Sequence, residues 1–120
     1  MVSIIDGNTS ALLSLALDAA GMRQQAIAHN IANVNTPGYQ RVSVSFESRF
    51  AALQDGGALG DLSSLKPTFQ YAEPGSPANV VALDMELAAM SETTLHHQML
   101  LKALNKHFAL IGTAISDGKR

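Results

Sequence analysis

Apolar positions recur along this chain in two long runs of heptad-like spacing. In the first, Leu13, Leu17, Ala20, Gln24, Ile27, Ile31 and Val34 alternate steps of four and three, a seam broken only by Gln24. The spacing predicts a helix from about residue 9 to about residue 35, with Asn8, Thr9 and Ser10 as candidate N-caps. Gly21 inside it either costs about 1 kcal/mol against alanine or permits a neighbour to approach closely. The second run is cleaner: Leu83, Leu87, Met90, Thr94, His97, Leu101, Leu104, Phe108, Ile111 and Ile115, with only Thr94 and His97 polar. It predicts a helix from about residue 81 to about residue 116. Asp84, Glu86 and Glu92 lie toward its start and Lys102, Lys106 and His107 toward its end, which matches the helix dipole. Neither helix can bury its stripe alone. The expected fold is all-α: long N- and C-terminal helices paired as an antiparallel coiled-coil-like hairpin around an irregular, partly extended middle insert.

The chain divides accordingly into residues 1–39, 40–79 and 80–120. In the middle part Val42, Val44 and Phe46 alternate with polar residues, a brief strand signal, while Phe46, Phe50 and Leu53 would suit one or two helical turns. Gln54-Asp55-Gly56-Gly57 and Gly60-Asp61 read as loop, Lys66 to Tyr71 as extended, and Pro74-Gly75-Ser76-Pro77 as a breaker. A structureless insert of this length implies function or disorder, and it is expected to settle against partners.

The first helix ends in an organised exit, Asn30-Ile31-Ala32-Asn33-Val34-Asn35-Thr36-Pro37-Gly38-Tyr39. Pro37 lacks an N–H and pushes Thr36 out of the α region. Thr36-Pro37-Gly38-Tyr39 suits a type II turn, with proline second and glycine supplying the positive φ at the third position. Asn30, Asn33 and Asn35 carry short amides that can bond backbone groups freed at a helix end and so pin the departing loop.

Composition narrows the possible functions. Apolar residues make up 47%, aromatics only 5%, and tryptophan is absent, which favours helix on helix over a β-sandwich. Charged residues are 15% of the chain, fewer than usual, as expected of a subunit with surface covered in an assembly. The net charge is −2 and the basic residues are scattered apart from Lys119-Arg120, so no nucleic-acid partner is expected. There is no cysteine, hence no disulfide or thiolate metal site. The N-terminal stretch lacks a basic n-region, and Asp6 and Asp18 flank its apolar residues 11–17, so neither a cleaved signal nor a lipid span is expected. Catalysis has little to stand on: no cysteine nucleophile, no Gly-rich phosphate loop, no metal-ligand spacing such as His-Glu-x-x-His. Glu92 and His96 could form at most a two-ligand clip, and Met85, Met90 and Met99 read as packing. No catalytic, metal or cofactor site is expected.

Residues Asn30 to Tyr39 resemble the signature that ends the N-terminal helix of bacterial flagellar axial proteins, the rod, hook and hook-associated subunits. His29 stands where an asparagine often precedes that motif. Asn79, Val81, Leu83, Asp84 and Glu86, and then Phe108-Ala109-Leu110 and Thr113-Ala114-Ile115, are similar to the C-terminal pattern of the short, proximal-rod members; Val80 and Ala82 depart from it. The resemblance implies a structural subunit whose terminal helices pair in a tube wall around an export channel, transmitting torque without turnover. It implies type III export without cleavage. The partners it implies are the chain itself, other rod subunits, and export-gate and adaptor proteins at the proximal end. The motif residues Asn30, Asn33, Asn35, Thr36, Pro37, Gly38 and Tyr39 would form the assembly corner. A soluble helical adaptor or export chaperone is the alternative, and it would be a stable folded oligomer in isolation.

Overall fold

The computed structural model describes residues 2–49, 51 and 65–118, with side chains from residue 9 onward. Helix α1 spans Val2–Ala32 and helix α2 Leu83–Gly118, 31 and 36 residues respectively. Between them lie strands β1 (Val42–Ser45) and β2 (Thr68–Tyr71) and a 3-10 turn, Pro77–Asn79. The expected loops at residues 54–57 and 60–61, with Phe50 and Leu53, fall outside the described residues, as does Lys119-Arg120.

The fold is mostly helical but not all-α. β1 and β2 pair antiparallel, with Val42 opposite Tyr71, Val44 opposite Phe69 and Ser45 opposite Thr68. Each strand is only four residues long, so periodicity alone could not show that the two extended stretches find one another. Helix α1 also begins earlier than expected, which places Asn8, Thr9 and Ser10 inside it rather than at its cap. A cap is worth about 1 kcal/mol, and helical residues upstream override it. At the other end the helix stops at Ala32, so Val34 and Asn35 lie in the turn beyond it. Gly21 is a plain helix-propensity cost, because a Cβ added there would meet nothing within 4 Å.

The two helices run antiparallel. Asn30 of α1 meets Glu86 of α2, and farther along Gln24 Nε2 donates to Thr94 Oγ1 at 3.4 Å. The polar break in the first seam therefore faces a polar break in the second. The apolar core lies on the insert side of α1: Ala19, Phe46 and Leu65 are buried together, with Leu12, Leu15, Ala16 and Val44 packed against them. The described part of the insert thus settles on its own chain. Helix α1 is the shared spine, and its buried Ala19, Ala20 and Ala26 let elements approach closely.

Along α2, the positions turned inward are Glu86, Ala89, Met90, Thr93, Thr94, His97, Leu100, Leu104, His107 and Ile111, a stripe of helical spacing. Burial of Glu86 sets this rotation. Leu83, Leu87, Leu101, Phe108 and Ile115 consequently flank the contact and stay exposed within the single chain. The molecule is long and thin, 64 × 30 × 16 Å with a radius of gyration of 18.0 Å, whereas a compact chain of this length has about 14 Å.

The helix-exit corner as a candidate assembly site

Asn30 sits two residues before the end of α1 and is wholly buried. Its side-chain amide has two N–H donors and one oxygen with two lone pairs, and the corner uses all of them. Nδ2 donates to the Val42 carbonyl at 2.9 Å and, at 3.5 Å, to Glu86 Oε2. Oδ1 accepts from the Val42 N–H at 2.9 Å and from the Tyr39 hydroxyl at 2.8 Å. One side chain thus ties the helix end to the residue closing the turn, to the first strand and to the other helix.

The turn itself follows from Thr36-Pro37-Gly38-Tyr39. The Tyr39 N–H donates to the Thr36 carbonyl at 3.3 Å, and Gly38 has φ 75°, the positive value that the third position of a type II turn needs. Asn33 steadies the helix end: its Nδ2 donates to the His29 carbonyl at 2.9 Å and its Oδ1 accepts from Thr36 Oγ1 at 3.1 Å. Asn35 is exposed.

The C-terminal half supplies the rest of the corner. Arg41 Nε donates to Glu86 Oε1 at 2.7 Å, and the Arg41 N–H donates to Asn79 Oδ1 at 2.7 Å. Asn79 Nδ2 in turn donates to the Tyr39 carbonyl at 3.3 Å. Only 3% of the Glu86 side chain is exposed against 32% of the Arg41 side chain, so the carboxylate is held inside while the guanidinium reaches the surface. The sequence pattern does not single out Arg41, and it marks Glu86 by its place near a helix N-terminus and by its match to the proximal-rod pattern, not as a buried partner. Its fit to the inward stripe 86–90–93–97 was the available signal.

Burial raises the Tyr39 phenol above its ordinary pKa, helped by the negative charge of Glu86 and by Tyr71, and opposed by Arg41. A group with a raised folded pKa contributes stability fully present below its unfolded value near 10 and lost as pH rises through the folded value. Glu86→Gln is expected to bring the Tyr39 titration part of the way back down, with the burial contribution remaining. Ultraviolet titration of the tyrosinate checks this; an unmoved midpoint contradicts the proximity of the two groups.

The sequence-expected interface residues divide by exposure. Ile27 is buried, and Leu13, Leu17, Ile31, Met90, Leu104 and Ile111 are half-buried. Val34, Leu83, Leu87, Leu101, Phe108 and Ile115 are exposed. Glu92 and His96 are both exposed. Among the described residues no group of three or more His, Cys, Asp or Glu could hold a metal ion, and no helix is long and apolar enough to cross a membrane.

The chain is similar in sequence to known proteins. The family described as flagella basal body rod protein matches residues 14–40, the second half of α1 and the turn. The flagellar basal body rod protein FlgB of Escherichia coli (strain K12) is 33% identical over 110 residues, covering 75% of this chain and 80% of that protein. The chain belongs to the FlgB family of flagellar basal body rod proteins. FlgB of Salmonella typhimurium is 30% identical over 123 residues, covering 86% of this chain and 89% of the relative. FlgB of Bacillus subtilis (strain 168) is 28% identical over 119 residues, covering 89% and 92%. Membership in the FlgB family makes this a structural protein of the flagellar basal body rod, not an enzyme. The matched span of the family ends just past the turn; Asn79 and Glu86, which complete the corner in this chain, lie beyond it.

Proposed function

We propose that this chain is a proximal-rod subunit that polymerises through its two terminal helices into the tube that transmits torque and encloses the export channel. The observation that carries this reading is the open apolar row on α2. Leu83, Leu87, Leu101, Phe108 and Ile115 remain exposed after α1 and α2 have packed, and Met85, Leu95, Met99 and Leu110 are exposed elsewhere on the same helix. Among the described residues only seven apolar side chains are buried. A thin body with so small a core gains most of its apolar burial from neighbours. Leu13, Leu17, Ile27, Ile31 and Val34 on the first helix and Met90, Leu104 and Ile111 on the second then complete the helix contacts, within and between subunits.

In this reading the Asn30–Tyr39 corner fixes the direction in which the insert leaves the tube wall. The subunit is exported uncleaved by the flagellar type III apparatus, crosses the periplasm as part of the rod, and meets export-gate and adaptor proteins at the proximal end. Changing Pro37-Gly38 to Ala-Ala lets α1 continue through the turn and forces a Cβ onto a residue with φ 75°. The expected result is loss of swimming with normal expression, and basal bodies that lack a complete rod by electron microscopy. Normal motility with intact rods contradicts the proposal. A stable, monodisperse oligomer of the isolated chain in light scattering would instead favour an adaptor or chaperone.

A further inference from the structure

The hydrogen bonds of the corner join parts of the chain that are far apart in sequence. Asn30 and Arg41 come from the N-terminal side, Asn79 and Glu86 from the C-terminal side. We propose that the corner and α2 form a single latch: the helix exit closes only when α2 is docked, and α2 docks only when the exit is closed, with Asn30 and Glu86 as the coupling pair.

Each half alone lacks partners that the other supplies. With α2 away, the second N–H of the Asn30 amide loses the Glu86 carboxylate as acceptor, and Arg41 loses its ion-pair partner. With the corner open, Glu86 enters a position 2% exposed without its cation. Buried polar groups left unpaired are penalised, and a buried charge more so. Half-closed states are therefore disfavoured on both sides, which makes the element two-state. Coupling of this kind is reciprocal: closing the corner favours helix docking by the same factor by which docking favours closing the corner. The direction of the insert is thereby tied to whether the two ends of the chain have met.

The test uses the full chain. Because it contains no cysteine, Gln24→Cys with Thr94→Cys gives a clean cross-link that reports helix docking, and amide exchange at Val42 reports corner closure. Asn30→Asp places a second carboxylate beside Glu86. It is expected to raise Val42 exchange at least tenfold and to cut the cross-link yield severalfold. Adding Glu86→Gln, which removes the repulsion between the two carboxylates, is expected to restore the part of that yield lost to charge, while the Val42 carbonyl still lacks the donor that Asn30 supplies. Faster Val42 exchange with an unchanged cross-link, or a cross-link that Glu86→Gln leaves no higher than in Asn30→Asp alone, overturns the latch. If the Asn30→Asp chain does not fold, Glu86→Gln alone is compared with Asp84→Asn, an exposed change on the same helical turn. The latch requires severalfold faster Val42 exchange in the first and none in the second; equal effects overturn it.

Discussion

Replacing Asn30 with alanine is expected to destabilise the folded chain by about 3 kcal/mol, more than the same change at Asn33. The substitution removes little volume but strands several partners at once. The Val42 N–H and carbonyl both pair with the Asn30 amide and Val42 is itself buried, so water cannot readily replace it. Each buried donor or acceptor left unmade costs about 1–3 kcal/mol. The Tyr39 hydroxyl, half-buried, can turn toward solvent and adds less. Asn33→Ala is the comparison. Its bonds lie on the exposed side of the helix end and its loss is expected to cost about 1 kcal/mol or less. Chemical denaturation of the full chain ranks the two variants. Equal losses would mean that the corner is held by the turn backbone, not by the buried amide.

The second large effect comes from separating Arg41 from Glu86. Arg41→Ala leaves a carboxylate that is almost fully enclosed and without its cation, a loss of about 3 kcal/mol. The reverse change, Glu86→Gln, is expected to cost clearly less, because the Arg41 side chain already reaches the surface and can be solvated there. Replacing both residues with methionine should recover much of the loss seen in Arg41→Ala, since burial of a paired charge carries little net gain over an apolar pair. Thermal unfolding midpoints of the three variants decide the order. A smaller effect for Arg41→Ala than for Glu86→Gln would contradict the burial asymmetry on which the prediction rests.

Much of this was legible in the sequence because it depends on local chemistry. The two helices follow from spacing, and the turn follows from proline and glycine at fixed positions of one tetrapeptide. Less accessible were features made by residues that meet only after folding. Val42 and Val44 signalled a strand, and residues 68–71 read as extended, but nothing local paired them across the insert. The rotation of α2 was hidden for a related reason. Leu83, Leu87 and Leu101 on one edge of the expected seam are more apolar than Glu86 and Thr93 on the other side of Met90, and hydrophobicity alone favours the first. A charged residue took the inside position because Arg41 and Asn30 were there to receive it. Asn30 itself was visible as one of three motif asparagines, yet only the fold separates it, wholly buried, from Asn33 and the exposed Asn35.

The bond between Asn30 and Val42 also bears on solubility before assembly. In the sheet, the Ala72 N–H reaches the Arg41 carbonyl, so alternate residues of the first strand face β2 and Val42 faces the opposite way. A side-chain amide presents the same donor and acceptor as a peptide group, and Asn30 offers both to Val42 as a neighbouring strand would. The outer edge of β1 is therefore stopped at Val42 by the chain's own helix. A foreign strand can add there only by displacing a buried asparagine, so the residue that shapes the joint also protects an exposed sheet edge from mispairing.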